Sequence, residues 1–220
     1  ERALEGLLKQ VERPRLLHLA THGFYLPEID DDDERFGEPA LSGMGTSAVI
    51  SRLRREQNPL YRSGLVLAGA NRANEDATES VDEIESGDSD SSAADDLPAG
   101  PAEDGWVTAE EVAMLDLQGT ELVVLSACET GLADVRTGEN VSGLRRAFLH
   151  AGARNLVTSL YKVPDDATHR LMGKFYTQLR EVGPREALRS AQLAMMEEER
   201  QEYGAAHPFF WGSFIFVGPD

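Results

Sequence analysis

The sequence predicts an α/β fold of three layers, a mostly parallel sheet flanked by helices. Three observations carry this. The runs at 121–126 (ELVVLS) and 155–160 (NLVTSL) are continuously apolar and rich in valine and leucine, as expected of strands covered on both faces. Around them, apolar residues recur at helical spacing: Val141, Leu144, Phe148 and Ala151, then Leu171, Phe175 and Leu179, then Leu188, Ala191 and Met195. Strand and helix patterns therefore alternate, which is the order of parallel strands joined by crossovers.

Each element has its own signal. Residues 1–10 are rich in helix formers, with Leu4, Leu7 and Leu8 at helical spacing. Arg15–Ala20 (RLLHLA) reads as a strand that ends in Thr21-His22-Gly23. An acidic loop follows at 28–38, then a short helix at 47–55, broken by Asn58-Pro59. Residues 64–68 (GLVLA) read as a short apolar strand. Thr108-Ala109-Glu110-Glu111 is a capping-box pattern opening a short helix. Gly152 stops the helix centred on Leu144 and Phe148. Asp165 is expected to cap the next helix, and Pro184 to open the one after it. Residues 213–217 (SFIFV) close the sheet.

The formal charge of −18 describes two loops rather than the body of the protein. Residues 73–104 hold twelve acids and no Lys or Arg, and residues 28–38 hold seven acids and Arg35. Acids and bases balance over the rest. No basic face is left for nucleic acid. The stretch 73–104, dense in Asp, Glu, Ser, Ala, Gly and Pro, holds too little apolar area to offset its ordering entropy and reads as a disordered insertion within one domain. No run of 18 apolar residues exists, so no membrane-spanning helix and no membrane partner are expected. The chain opens Glu1-Arg2-Ala3, without a start methionine or signal-peptide pattern, and is expected to be a piece of something longer. The single cysteine, Cys128, excludes an intrachain disulfide and a Cys-based metal site, and fits a reducing, cytoplasmic setting. The run Asp30–Asp33 lacks the spacing of a calcium loop and reads as a solvated loop. No cofactor and no metal are called for.

In open α/β sheets, ligands bind outside the carboxyl ends of the strands. His22 follows the first strand and Cys128 follows the strand at 121–126. If those strands are neighbours, a thiol and an imidazole share one crevice, which is a nucleophile–base pair. The Gly23 N–H, with no Cβ in the way, and the Cys128 N–H are then candidate oxyanion donors. The bland alternative is a buried cysteine acting as a small hydrophobe. Of the other histidines, His18 reads as a packed or hydrogen-bonded core residue within the strand, His150 as a helix end, His169 as a surface or interface residue on a helix and His207 as a loop residue without an evident partner. Asp134, Asp165 and Asp166 follow strand ends, where they are candidates to line a specificity pocket. There is no Gly-x-Ser-x-Gly elbow and no Gly-rich phosphate motif.

At these residues the sequence resembles the CHAT domain, a caspase-like cysteine peptidase family often found behind tetratricopeptide repeats. The resemblance is carried by His-Leu-Ala-Thr-His-Gly at 18–23, Leu-Ser-Ala-Cys-Glu-Thr-Gly at 125–131 and Gly-Leu-Arg-Arg-Ala-Phe at 143–148. Ala-Gly-Ala-Arg at 151–154, Val-Pro-Asp-Asp-Ala-Thr at 163–168 and His-Pro-Phe-Phe-Trp at 207–211 extend it. It implies a caspase-like fold and an endopeptidase with a Cys–His dyad. Cys128 would be the nucleophile, His22 the general base, and the N–H groups of Gly23 and Cys128 the oxyanion hole. The segment Ser159–Val163, with Tyr161 standing where the family commonly has Trp, and Asp165 beyond it, would flank a protein or peptide substrate. An upstream repeat or sensor region would control the enzyme. The family usually carries further strands before the first helix, so the upstream edge of the sheet is expected to be missing here. Two other classes stay open: an inactive caspase-like scaffold for protein–protein interaction, and a cysteine amidase acting on a small substrate.

Overall fold

A computed structural model describes residues 5–25, 59–70, 104–126, 143–161 and 163–219. The expected helix at 47–55, the acidic loop at 28–38, and residues 73–103 of the expected insertion lie outside the described residues. The main sheet has four strands: β1 (Leu16–Leu19), β5 (Leu122–Leu125), β6 (Leu156–Ser159) and β7 (Phe214–Val217), in the order β1-β5-β6-β7. β1, β5 and β6 run parallel, with Leu16 opposite Leu122 and Val123 opposite Leu156. β7 is antiparallel to β6, with Ser159 opposite Phe214.

Alternation along the strands divides the core in two. On one face Leu122, Val124 and Val157 meet α4 (Asp165–Leu179) and α5 (Pro184–Tyr203) through Leu171, Phe175, Leu188, Ala191 and Met195. On the other face Val123, Leu125 and Leu156 meet α2 (Ala109–Ala113) and α3 (Gly143–His150) through Val112, Leu144, Ala147 and Phe148. Every residue of β5 and β6 is buried, as continuous apolar runs require. The three-layer α/β reading, a mostly parallel sheet flanked by helices, is thus realised.

The second face also carries a small sheet, of which the sequence reading gave only the middle strand, at 64–68. β2 (His22–Tyr25), β3 (Ser63–Val66) and β4 (Trp106–Thr108) form a three-stranded antiparallel sheet, in the order β2-β3-β4. Leu65 and Val107 join the core between β5 and α3. Gly64 permits the close approach of these strands: a Cβ there would stand 2.1 Å from the Val107 carbonyl oxygen and 2.7 Å from the Phe24 ring. A short N-terminal helix, α1 (Glu5–Lys9), is tied to this sheet. Its buried Glu5 accepts from the Gly105 N–H at 2.7 Å, and Lys9 bridges Glu5 and Glu111. The predicted capping box is present, with Thr108 and Glu111 closing the start of α2 reciprocally.

Candidate active site at the carboxyl end of the sheet

His22 owes its place to two sheets meeting. β1 ends at Leu19, and after Ala20 and Thr21 the chain enters β2 with His22 as its first residue. The Thr21 hydroxyl donates to the Val66 carbonyl, and His22 lies opposite Val66 in the ladder. The imidazole is thus held just past the carboxyl end of a main-sheet strand, and it is exposed. Gly23 is buried opposite Leu65. Since β2 is an edge of the small sheet, alternate backbone groups along it face away from β3.

The condition set by the sequence is met: β1 and β5 are adjacent and parallel. The tie extends past both strand ends, where the Ser126 N–H donates to the Leu19 carbonyl at 2.9 Å. The two motifs therefore leave neighbouring strands at the same end of one sheet. Cys128 and Asp134 lie outside the described residues, while Ser126, two positions before the cysteine, has a sealed hydroxyl without a hydrogen-bond partner among the described residues.

The next strand, β6, exits beside β5. Ser159 is 2% exposed, so its side chain lies inside the fold rather than on a groove surface. The Leu160 N–H donates to the Ser213 carbonyl at 2.7 Å and prolongs the pairing with β7. Tyr161 is half-buried, its hydroxyl donating to the Pro208 carbonyl at 3.1 Å and its ring stacked on Phe209, 5.6 Å between centroids and 12° between planes. Burial pushes the Tyr161 phenol above its ordinary value. Phe209 belongs to α6 (Pro208–Trp211), the short helix inside the His-Pro-Phe-Phe-Trp motif. The motif was visible in the sequence, but its docking against Tyr161 was not, since 47 residues separate the bonded groups.

Three sequence expectations require correction. Asp165 does not cap α4: it is the first helical residue, exposed, and Pro164 occupies the cap position with no side-chain hydrogen bond. Asp165 and Asp166 instead place negative charge in the first turn, where the helix dipole favours it. His207 is not partnerless: it caps α6, its Nδ1 accepting from the Phe209 N–H at 3.2 Å. His18 is hydrogen-bonded as expected, 2.9 Å from the Tyr176 hydroxyl, but it lies exposed on an edge strand rather than in the core. Desolvation against Tyr176 pushes its imidazole below the usual value. His150 ends α3, and His169 is exposed on α4.

Comparison with known sequences bears on this arrangement. The sequence model of the CHAT domain matches residues 1–219. Tetratricopeptide repeat protein 28 of Homo sapiens is 32% identical over 133 residues, 60% of this chain and 5% of that protein. Its namesake in Mus musculus is 32% identical over 108 residues, 49% of this chain and 4% of that protein. The chain thus spans about a twentieth of the length of these curated relatives.

Proposed function

The chain belongs to the CHAT domain family, a caspase-like peptidase family, and from that premise we propose that it is a cysteine endopeptidase working through Cys128 and His22. One observation supports this above the others: the strands that precede Thr21-His22-Gly23 and Ser126-Ala127-Cys128 are adjacent, parallel and tied at their carboxyl ends. In the sequence Cys128 stands three residues after Leu125, the last residue of β5.

In this reading the His22 imidazole takes the Cys128 thiol proton as sulfur attacks the scissile carbonyl. The N–H groups of Gly23 and Cys128 receive the developing oxyanion. The imidazolium returns the proton to the leaving amine, and a thioester remains on Cys128. Water, deprotonated by His22, then hydrolyses the thioester and frees the thiol. The Tyr161–Phe209 stack borders the path of a peptide crossing the strand ends, with Asp165 beyond it. A repeat region, as in the names of the curated relatives, would control the enzyme from elsewhere in a longer chain.

The test pairs the wild-type chain with Cys128→Ala. Both are incubated with a thiol-directed probe and an unstructured protein library, and new termini are mapped. Cleavage present in wild type and lost in the variant supports the peptidase. Unchanged cleavage in the variant sinks it. A Cys128 that reacts no faster than a free thiol, with nothing cut, favours a scaffold.

A further inference from the structure

α1 holds its shape by docking. It has five residues, whereas a helix that stands alone in water needs about 12–15. Leu8 anchors it in the core, while Leu7 lies exposed. Its polar anchor is Glu5, whose side chain is 3% exposed. Oε2 of Glu5 accepts from the Gly105 N–H at 2.7 Å, and Oε1 accepts from Lys9 Nζ at 2.5 Å. Lys9 also donates to Oε1 of Glu111 at 2.9 Å. These ties fall on the two flanks of β4. Gly105 immediately precedes Trp106, the first residue of the strand, and Glu111 accepts through Oε2 from the N–H and hydroxyl of Thr108, the last.

The ties continue toward His22. Gly105 is bonded on both sides: its N–H donates to Glu5, and its carbonyl accepts from the Leu67 N–H at 2.7 Å. Next to Leu67, Val66 stands opposite Trp106 on one side and His22 on the other. The Val66 carbonyl also accepts from the Thr21 hydroxyl. Gly105 thus joins α1 to the ladder, and one cross-strand row leads from that junction to the candidate base. The junction itself demands glycine, since its φ is +77° and a Cβ would stand 2.3 Å from the Ala70 nitrogen. The small sheet has only three or four residues per strand, and its strands contribute Leu65 and Val107 to the core cluster. β5 and β6 are buried throughout. Units with few buried apolar contacts open locally at lower cost than central strands.

We propose that α1 is a strap on the candidate site: docked, it holds the small sheet and His22 in place, and released, it lets β2, β3 and β4 open as one unit while β5 and β6 stay folded. The inference goes beyond the peptidase reading and concerns the fold whatever Cys128 does. Its consequence for that reading is control, because whatever moves α1 acts on the general base without touching the strand that precedes the cysteine. The fastening suits release. It consists of one buried leucine and a lysine shared by two carboxylates, and the Lys9 and Glu111 side chains are 34% and 26% exposed, within reach of a competing charge.

Amide hydrogen exchange read by mass spectrometry tests this on the wild-type chain, Glu5→Ala and Lys9→Met. Arg170→Met is the control, since it weakens the α4–α5 pairing on the other face of the main sheet. Glu5→Ala is expected to speed exchange at 22–25, 63–66 and 105–108 together, by about ten- to a hundredfold, the range for losing a hydrogen bond to a charged group. Lys9→Met leaves Glu5 on Gly105 and should give the same pattern severalfold, which decides the matter if Glu5→Ala does not fold. In both variants exchange at 122–125 and 156–159 should stay within about twofold of wild type, and Arg170→Met should leave the small sheet unmoved. A rise confined to 105–108, an equal rise in the central strands, an equal rise in Arg170→Met, or no rise at all overturns the proposal. Exchange needs no catalysis, so the two readings separate. Joint opening of β2, β3 and β4 in a chain whose cleavage survives Cys128→Ala keeps the strap and sinks the peptidase. Cys128-dependent cleavage with exchange unmoved by Glu5→Ala sinks the strap and keeps the peptidase.

Discussion

Alanine at Gly64 tests whether the small sheet is packed as described. The added Cβ would sit 2.1 Å from the Val107 carbonyl oxygen and 2.7 and 2.9 Å from Cε1 and Cζ of Phe24. The Phe24 ring cannot swing freely, being 2% exposed and edge-on to Trp106 with centroids 5.1 Å apart. The carbonyl cannot move without disturbing the ladder in which Gly64 faces Thr108 and Leu65 faces Val107. Overpacking costs about 1–3 kcal/mol where side chains can adjust, and a backbone obstacle puts this site at the upper end, about 3 kcal/mol. For a chain of this size that corresponds to a fall in Tm of about 6–12 °C. Gly173→Ala is the internal control. It lies in α4 with nothing within 4 Å of an added Cβ, so the same change should stabilise by about 0.5–1 kcal/mol. Thermal unfolding followed by circular dichroism, with urea midpoints alongside, reads both. A Gly64→Ala variant that melts within about 1 °C of wild type would refute the strand packing that carries His22.

Other consequences can be measured with the same assays. Arg170→Met leaves the Glu199 carboxylate, 7% exposed, without its partner and should cost about 2–3 kcal/mol in urea unfolding, while Arg170→Met/Glu199→Met should recover most of it; equal losses would show that the pair is not coupled. His18 has a folded-state value below the ordinary 6.5, so the unfolded chain binds more protons and stability should fall as pH drops through 6.5 toward the folded value. Tyr176, pushed up to about 12 by burial, stays neutral throughout, and His18→Gln should flatten that slope. Burial raises the Glu111 carboxyl, but hydrogen bonds from Lys9 and Thr108 outweigh it and hold the group below 4.5. Its contribution is therefore present above 4.5 and lost as pH falls through the depressed value, and Glu111→Gln should remove that part of the acid limb.

Much of the fold around the candidate site was legible because its signals are local. A Val- and Leu-rich run must be covered on both faces, so β5 and β6 were central strands before any contact was known. The Thr108/Glu111 capping box needs four consecutive residues and no tertiary partner. His22 at a strand end followed directly from the residues around it. Asp165 misled because Asp is a favoured cap, whereas the chain path set by Pro164 places the helix start one residue earlier than that rule assumes.

The sequence by itself determined the alternation of strands and helices, the strand ends that carry His22 and precede Cys128, and the concentration of charge in two segments. Only tertiary structure decided the β2-β3-β4 sheet and the docking of Pro208 and Phe209 on Tyr161. The physical reason is range. Propensity, capping and apolar periodicity act over a few neighbouring residues. The pairing of His22 with Val66, or of Arg170 with Glu199, joins groups far apart in the chain, and such contacts form only when the packed layers bring them together.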